Sequence, residues 1–170
     1  MKANEATSRA GLSALARIVI ETWALLGGCV LLALVLMNVE SVVASALFDA
    51  PFPGDFEMTQ VGVAIAAFSF LPYCQMTGAN VTADIFTSGL GKRSEAILAL
   101  FASLLALGFA LLLAWRMWEG MLDQRTYDYT TTILQFPHWL AFIPILISLV
   151  LLAVAALMTL GEAARDAKRG

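Results

Sequence analysis

Apolar residues run along this chain in four long blocks fenced by charge: 22–39 between Glu21 and Glu40, 58–83 between Glu57 and Asp84, 96–115 between Glu95 and Arg116, and 129–161 between Asp128 and Glu162. A helix rises about 1.5 Å per residue, so crossing a hydrocarbon core of ~30 Å takes about 20 largely apolar residues. Each block is long enough. The fourth exceeds the need, and its first part, TTTILQFPHW (130–139), is polar and aromatic enough to be a loop and an interface approach, leaving Leu140 to Leu160 in the membrane. The pattern predicts an all-α membrane protein with four transmembrane helices in one domain (1–170), the spans lying near 18–47, 57–83, 95–118 and 138–160.

Punctuation between the blocks supports this division. The segment DAPFPGD, with two prolines and a glycine, ends helix 1 near Phe48. Pro72 and Gly78 predict a kink in helix 2, whose end, MTGANVTADIF, is polar enough to suggest a surround of protein rather than lipid. Ser94, after the turn SGLGKRSE, reads as the N-cap of helix 3. Helix 4 is expected to contain Pro137 and Pro144. No internal repeat of the kind that marks a complete secondary transporter is evident.

Composition excludes other classes. The 170 residues are 60% hydrophobic and 14% charged, with mean hydropathy +0.81, against about 25% charged in a soluble domain. A net charge of -3 argues further against a nucleic-acid partner. Eight of the ten Lys and Arg residues (Lys2, Arg9, Arg17, Lys92, Arg93, Arg165, Lys168, Arg169) fall on one side of the four-span map, and only Arg116 and Arg125 on the other. Cationic flanks stay inside, so both termini are expected to be cytoplasmic and the opposite surface acidic. A cleaved secretory signal is rejected, because the first apolar stretch exceeds the usual ~7–15 residues of a signal core.

The candidate chemistry is sparse. Cys29 and Cys74 lie in apolar runs without a C-x-x-C pairing and read as small packing residues. His138 is the only histidine, too few for a paired haem or a His-based metal site, and beside Trp139 it reads as part of an interfacial aromatic belt. Glu40 is the one candidate embedded polar group, but it sits about 14 Å from the middle of its block, near the membrane edge. That depth favours an interfacial or partner contact over an ion-pathway carboxylate. Glu21 is expected to pair with Arg17 one turn earlier. Glu119, Asp123 and Asp128, mixed with Arg116 and Arg125, read as a solvated face. Ala102, Ala106, Ala110 and Ala114 repeat every fourth residue of helix 3 and predict a groove for close helix packing, against an opposing helix that is either internal or from another chain.

The order of four spans, the acidic GDFEM start of helix 2, the polar MTGANVTADIF exit and the TTTILQFPHW approach to helix 4 together resemble the small membrane subunit of tripartite ATP-independent periplasmic (TRAP) transporters, the DctQ-type family, from about Ile18 to Leu160. Glu57 matches the family's helix-2 glutamate; Gly78, Val81 and Asp84 match its helix-2 exit, with Asn80 where a histidine is common; Thr132, Gln135, Pro137 and Trp139 match the step before helix 4. The resemblance implies a non-catalytic subunit of a sodium-driven, binding-protein-dependent importer in the bacterial inner membrane, typically for a carboxylate solute. Its partners would be a large multi-span membrane subunit, which it scaffolds, and a periplasmic solute-binding protein, which it helps dock, amid membrane lipids. No catalytic residue, substrate site, metal or cofactor is assigned. The candidate partner-interface residues are Glu57, Asn80, Asp84, Ala102, Ala106, Ala110, Ala114, Pro137 and Trp139. An unrelated tetraspan scaffold and a self-sufficient small transporter are the competing readings, while an intramembrane redox or haem enzyme fails on the histidine and cysteine counts.

Overall fold

A computed structural model describes residues 2–78 and 92–169, with side chains for 13–78 and 97–165. Four helices make up almost all of it: α1 (Lys2–Phe48), α2 (Asp55–Thr77), α3 (Lys92–Thr126) and α4 (Trp139–Arg169). There is no strand among the described residues, only an isolated bridge between Thr130 and Pro137. Three helices, over Ser13–Phe48, Ile97–Thr126 and Trp139–Arg165, are long and apolar enough to cross a membrane. The fourth, α2, is diluted by Thr59, Gln60, Ser69 and Gln75.

The helices outrun the spans expected for them. α1 continues back to Lys2, and α3 and α4 continue to Thr126 and Arg169, because a helix need not stop where its apolar stretch does. Ser94 therefore lies inside α3 rather than capping it, since the helix already starts at Lys92. α2 ends earlier than the expected span: Gly78 adopts a left-handed conformation (φ 67°) and its N–H bonds back to the Cys74 carbonyl. That is the usual way a glycine terminates a helix. Pro72 stays within a continuous α2, fully buried, so the glycine is a stop rather than part of a kink. Pro137 is not in a helix either, because α4 begins two residues later.

Packing is an open layer rather than a closed four-helix bundle. α2 lies between α1 and α4, and α3 packs along the far side of α4. Both connections, 49–54 and 127–138, meet at one end of the layer, called here the loop end. α4 accordingly buries the most, with Ile145, Leu149, Ala155 and Ala156 on its covered sides.

Between α1 and α2 the contact is made by small residues. A Cβ placed on Gly27 would lie 2.7 Å from the Ser69 Cβ, and one on Gly62 would lie 2.7 Å from a Leu34 methyl. Ala66 and Ser69 on the same face of α2 are buried. Such close approach lets dispersion contacts and interhelical hydrogen bonds replace the hydrophobic drive that lipid does not supply. The bonds are present: Asn38 Nδ2 donates to Thr59 Oγ1 (2.9 Å), Trp23 Nε1 to Ser148 Oγ (2.8 Å) and Gln75 Nε2 to Thr159 Oγ1 (3.1 Å). They tie α1 to α2, α1 to α4 and α2 to α4.

Gly27→Ala should lower thermal stability, since its new methyl meets Ser69; overpacking of this kind costs about 1–3 kcal/mol, more than the ~1 kcal/mol that alanine gains in helix propensity. At Gly28 a Cβ meets nothing within 4 Å. Gly28→Ala should therefore be neutral or stabilising by up to about 1 kcal/mol. Thermal unfolding of both variants in the same detergent makes the comparison, and equal behaviour would remove close packing at Gly27 as the constraint.

Candidate functional site

The first turn of α2 builds the loop end. Gly54 takes a left-handed conformation (φ 80°), and its missing side chain leaves room for Leu134, whose Cγ would lie 2.5 Å from a Cβ there. Next to it, Asp55 accepts a hydrogen bond from buried Ser41 Oγ (2.5 Å), while the same hydroxyl oxygen accepts the Phe52 N–H (3.2 Å). The α1–α2 turn is thereby fixed to the end of α1.

The TTTILQFPHW segment folds into a small hairpin. Thr131 N–H donates to the Phe136 carbonyl (3.0 Å), His138 N–H to the Tyr129 carbonyl (3.0 Å), and Phe136 N–H to Thr131 Oγ1 (2.9 Å). Gln135 (φ 50°) and Asp128 (φ 48°) take the left-handed turns without a glycine. At the tip, the Ile133 and Leu134 N–H groups point to Glu57, donating to Oε1 at 2.8 Å and Oε2 at 3.1 Å. Partial burial raises the Glu57 pKa, but these two N–H groups together with the Thr131 hydroxyl and the Thr132 N–H outweigh it and hold the carboxyl below its ordinary value. Both carboxylate oxygens are thus engaged, and α2 is joined to the hairpin that starts α4.

Under this latch lies a cavity of about 610 Å³. Polar Glu57, Gln60, Gln124, Thr130, Thr132 and His138 line it together with apolar Val61, Ala64, Phe68, Met117, Phe142 and Ile145. It opens between α2 and α3, which both lean on α4. Gln124 Oε1 is buried and accepts no hydrogen bond.

The other predicted residues are scattered. Pro137 bridges to Thr130, and Trp139 lies beneath the Arg125 guanidinium, 5.6 Å from its ring centroid, in cation–π geometry. Glu40 is exposed on α1. On α3, Ala110 is fully buried, Ala106 and Ala114 are half-buried, and Ala102 is exposed. Since α4 is the helix that covers α3, the stripe's inner part faces α4. Asn80 and Asp84 lie outside the described residues. Among the described residues the ion pair formed is Arg116–Glu119, not Arg17–Glu21. Cys29 is exposed rather than packed inside the chain, and Cys74 is half-buried. Sequence reasoning missed Ser41, Asp55 and Gln124; a serine followed fourteen residues later by the first acid of α2 was the available signal for the first two.

Glu57→Gln presents one carbonyl oxygen and an NH2 group to two N–H donors, so one donor loses its acceptor. The Ile133 and Leu134 amides should then exchange hydrogen faster, with the helices unchanged. Because the folded pKa lies below the ordinary 4.5, the latch's contribution is complete above that pH and is lost as pH falls below it through the lowered value. Hydrogen exchange, corrected for its intrinsic pH dependence, reads both effects; protection of the two amides that survives in the variant would refute the latch.

Residues 31–166 match the protein-family model described as "Tripartite ATP-independent periplasmic transporters, DctQ component". No match to an individual curated protein accompanies it. The matched region takes in α2, the hairpin, all of α3 and nearly all of α4, including the latch and the cavity. With most of its length covered, the chain belongs to the DctQ family of TRAP transporter components.

Proposed function

We propose that this chain is the small, non-catalytic membrane subunit of a sodium-coupled, binding-protein-dependent importer for a carboxylate-containing solute. It crosses the bacterial inner membrane four times, with both termini in the cytoplasm and the loop end in the periplasm. The family match carries this reading. Family membership implies a large membrane subunit and a solute-binding protein as partners, and two features of the chain suit a supporting role beside them.

The first is the open layer. α1 and α3 lie at its two edges and expose Leu25, Leu32, Leu36, Phe101, Phe109 and Leu111 among other large apolar groups. These faces offer the large subunit a broad lateral seat, with exposed Ala102 a place of close approach on α3. The second is the rigid loop end, where the latch at Glu57 presents the hairpin, including Pro137 and Trp139, as a defined surface for the binding protein. α2 lies between α1 and α4, so it crosses wherever they cross, with its Thr59 and Gln75 hydrogen-bonded to those two neighbours.

Cysteine labelling tests the topology: positions 52 and 125 should react from outside intact cells, and 2, 92 and 168 only after permeabilisation. Labelling of 92 from outside would overturn four crossings. Liposomes holding this chain alone should show no solute uptake, and uptake should need the large subunit, the binding protein and a sodium gradient. Substrate-specific uptake by the chain alone would instead establish a self-sufficient transporter.

A further inference from the structure

Hydrogen bonds and close contacts fix which turns of the four helices lie level with one another. Gly27 of α1 stands opposite Ser69 of α2, Leu34 opposite Gly62, and Asn38 opposite Thr59. Val61 and Ala64 of α2 share the cavity wall with Phe142 and Ile145 of α4, Phe142 in turn lies against Gly120 of α3, and Trp139 lies under Arg125. Followed across the layer, these pairings put Gly120 level with Leu34 and Arg125 level with Asn38, to within about a turn. The apolar stretches, however, are not level. The middle of the α1 block 22–39 is at about residue 30, while that of the α3 block 96–115, at about residue 105, stands level with about residue 19 of α1. The α3 block is thus displaced by about eleven residues, or about 16 Å, away from the loop end. Both of its ends share the offset: Arg116 is level with Val30, inside the α1 block, and Glu21 is level with Leu107, inside the α3 block. α4 falls between them, since Ser148, near the middle of its apolar stretch, bonds Trp23 of α1.

We propose that the layer crosses the membrane obliquely, tilted in its own plane, so that residues 116–126 of α3 stand in water beyond the hydrocarbon while the level turns of α1 lie in lipid. The proposal rests on α1 and α3 both crossing, as proposed above. In an upright layer, Arg116 and Glu119, both exposed, would share the depth at which α1 shows Leu32 and Leu36 to lipid. Either the charges would enter hydrocarbon or the leucines would enter water, and each is unfavourable. Tilting the layer removes both costs together. It also brings exposed Trp115 and Trp118 to the membrane surface, where indole rings gather. An offset of ~16 Å across three helix spacings of about 9 Å corresponds to a tilt of about 30°, inside the ~0–40° range of membrane helices. The cavity between α2 and α3, with Met117 and Gln124 in its α3 wall, accordingly opens to the water outside rather than to lipid.

Spin labels read this depth directly. Full-length chain carrying Cys29→Ala and Cys74→Ala should receive single labelling sites at two level pairs, Leu36→Cys with Leu122→Cys toward the loop end and Leu15→Cys with Phe101→Cys toward the other, and be reconstituted in liposomes. All four side chains are exposed, so the labels displace no packing. Power saturation by oxygen, which enters lipid, and by a water-soluble nickel chelate gives the depth of each label. Position 36 should lie about 13 Å deeper in lipid than position 122, the drop that a tilt of about 30° produces across three helix spacings. At the other end the order should reverse, with position 101 deeper than position 15 by a similar amount. Equal depths within each pair would show an upright layer and overturn the proposal, as would the same helix lying deeper in both pairs. Leu25→Cys and Leu111→Cys, exposed on the same two helices, should lie in lipid whether the layer is tilted or upright. Water at either of these would show that its helix does not cross, a failure of the four-crossing reading that removes the tilt with it.

Discussion

Helices in lipid gain nothing by hiding leucine from their surroundings, since lipid tails are as apolar as any core. The arrangement of this protein therefore depends on places where backbones approach closely and polar side chains find each other. Gly27 against Ser69 and Gly62 against Leu34 set the separation of α1 and α2. Asn38–Thr59, Ser41–Asp55 and those glycine contacts succeed one another in antiparallel register, so a shift along the axis would break all of them together. That is how a chain with an apolar face nearly everywhere specifies one packing.

The same logic operates between α2 and α4, where the ties lie at both ends. Gln75–Thr159 closes the end away from the loops, and Glu57 closes the loop end through the hairpin tip. A carboxylate suits the second position because the tip offers several converging donors, which a neutral acceptor with one free oxygen could not satisfy. It also lies in the first turn of α2, where the helix dipole favours negative charge. The hairpin needs such an anchor: it buries Thr131 but leaves Ile133 and Leu134 exposed, so apolar burial alone would not fix it.

The broad architecture was legible in the sequence because charge spacing reports membrane length directly. Four helices and the position of the α1–α2 turn follow from that, as does the loop character of TTTILQFPHW. Glu57 and this segment were each conspicuous, yet their contact bridges 76 residues and depends on backbone N–H groups, which no side-chain pattern encodes. The helix ends were less legible: nothing in an apolar periodicity distinguishes a helix that stops at the membrane surface from one that runs on, and a proline could be assigned to helix 4 although the chain turns before it. The small-residue signal in α3 drew attention to Ala110, which is covered, while the equally important Gly27, Gly62, Ala66 and Ser69 were passed over because their spacing is divided between two helices. Gln124 gave no signal at all, since a glutamine near a helix end is ordinary until its surroundings are known.

The open layer also bears on what kind of membrane component this is. Coupled transport across a membrane calls for sites near the midplane, where broken helices expose backbone groups to ions and substrate. Here Pro72 lies fully buried within α2, and the carbonyl of Pro144 in α4 accepts the Ser148 hydroxyl at 2.8 Å. Ser148 in turn receives Trp23 Nε1, so polar groups in the middle of the layer are spent on holding helices together. The two carboxylates that tie one element to another, Asp55 and Glu57, lie instead at the loop end. A chain that spends its inner polarity on rigidity and leaves its outer helices apolar has the physical makeup of a fixed support for another membrane subunit, the role proposed for this DctQ-family member.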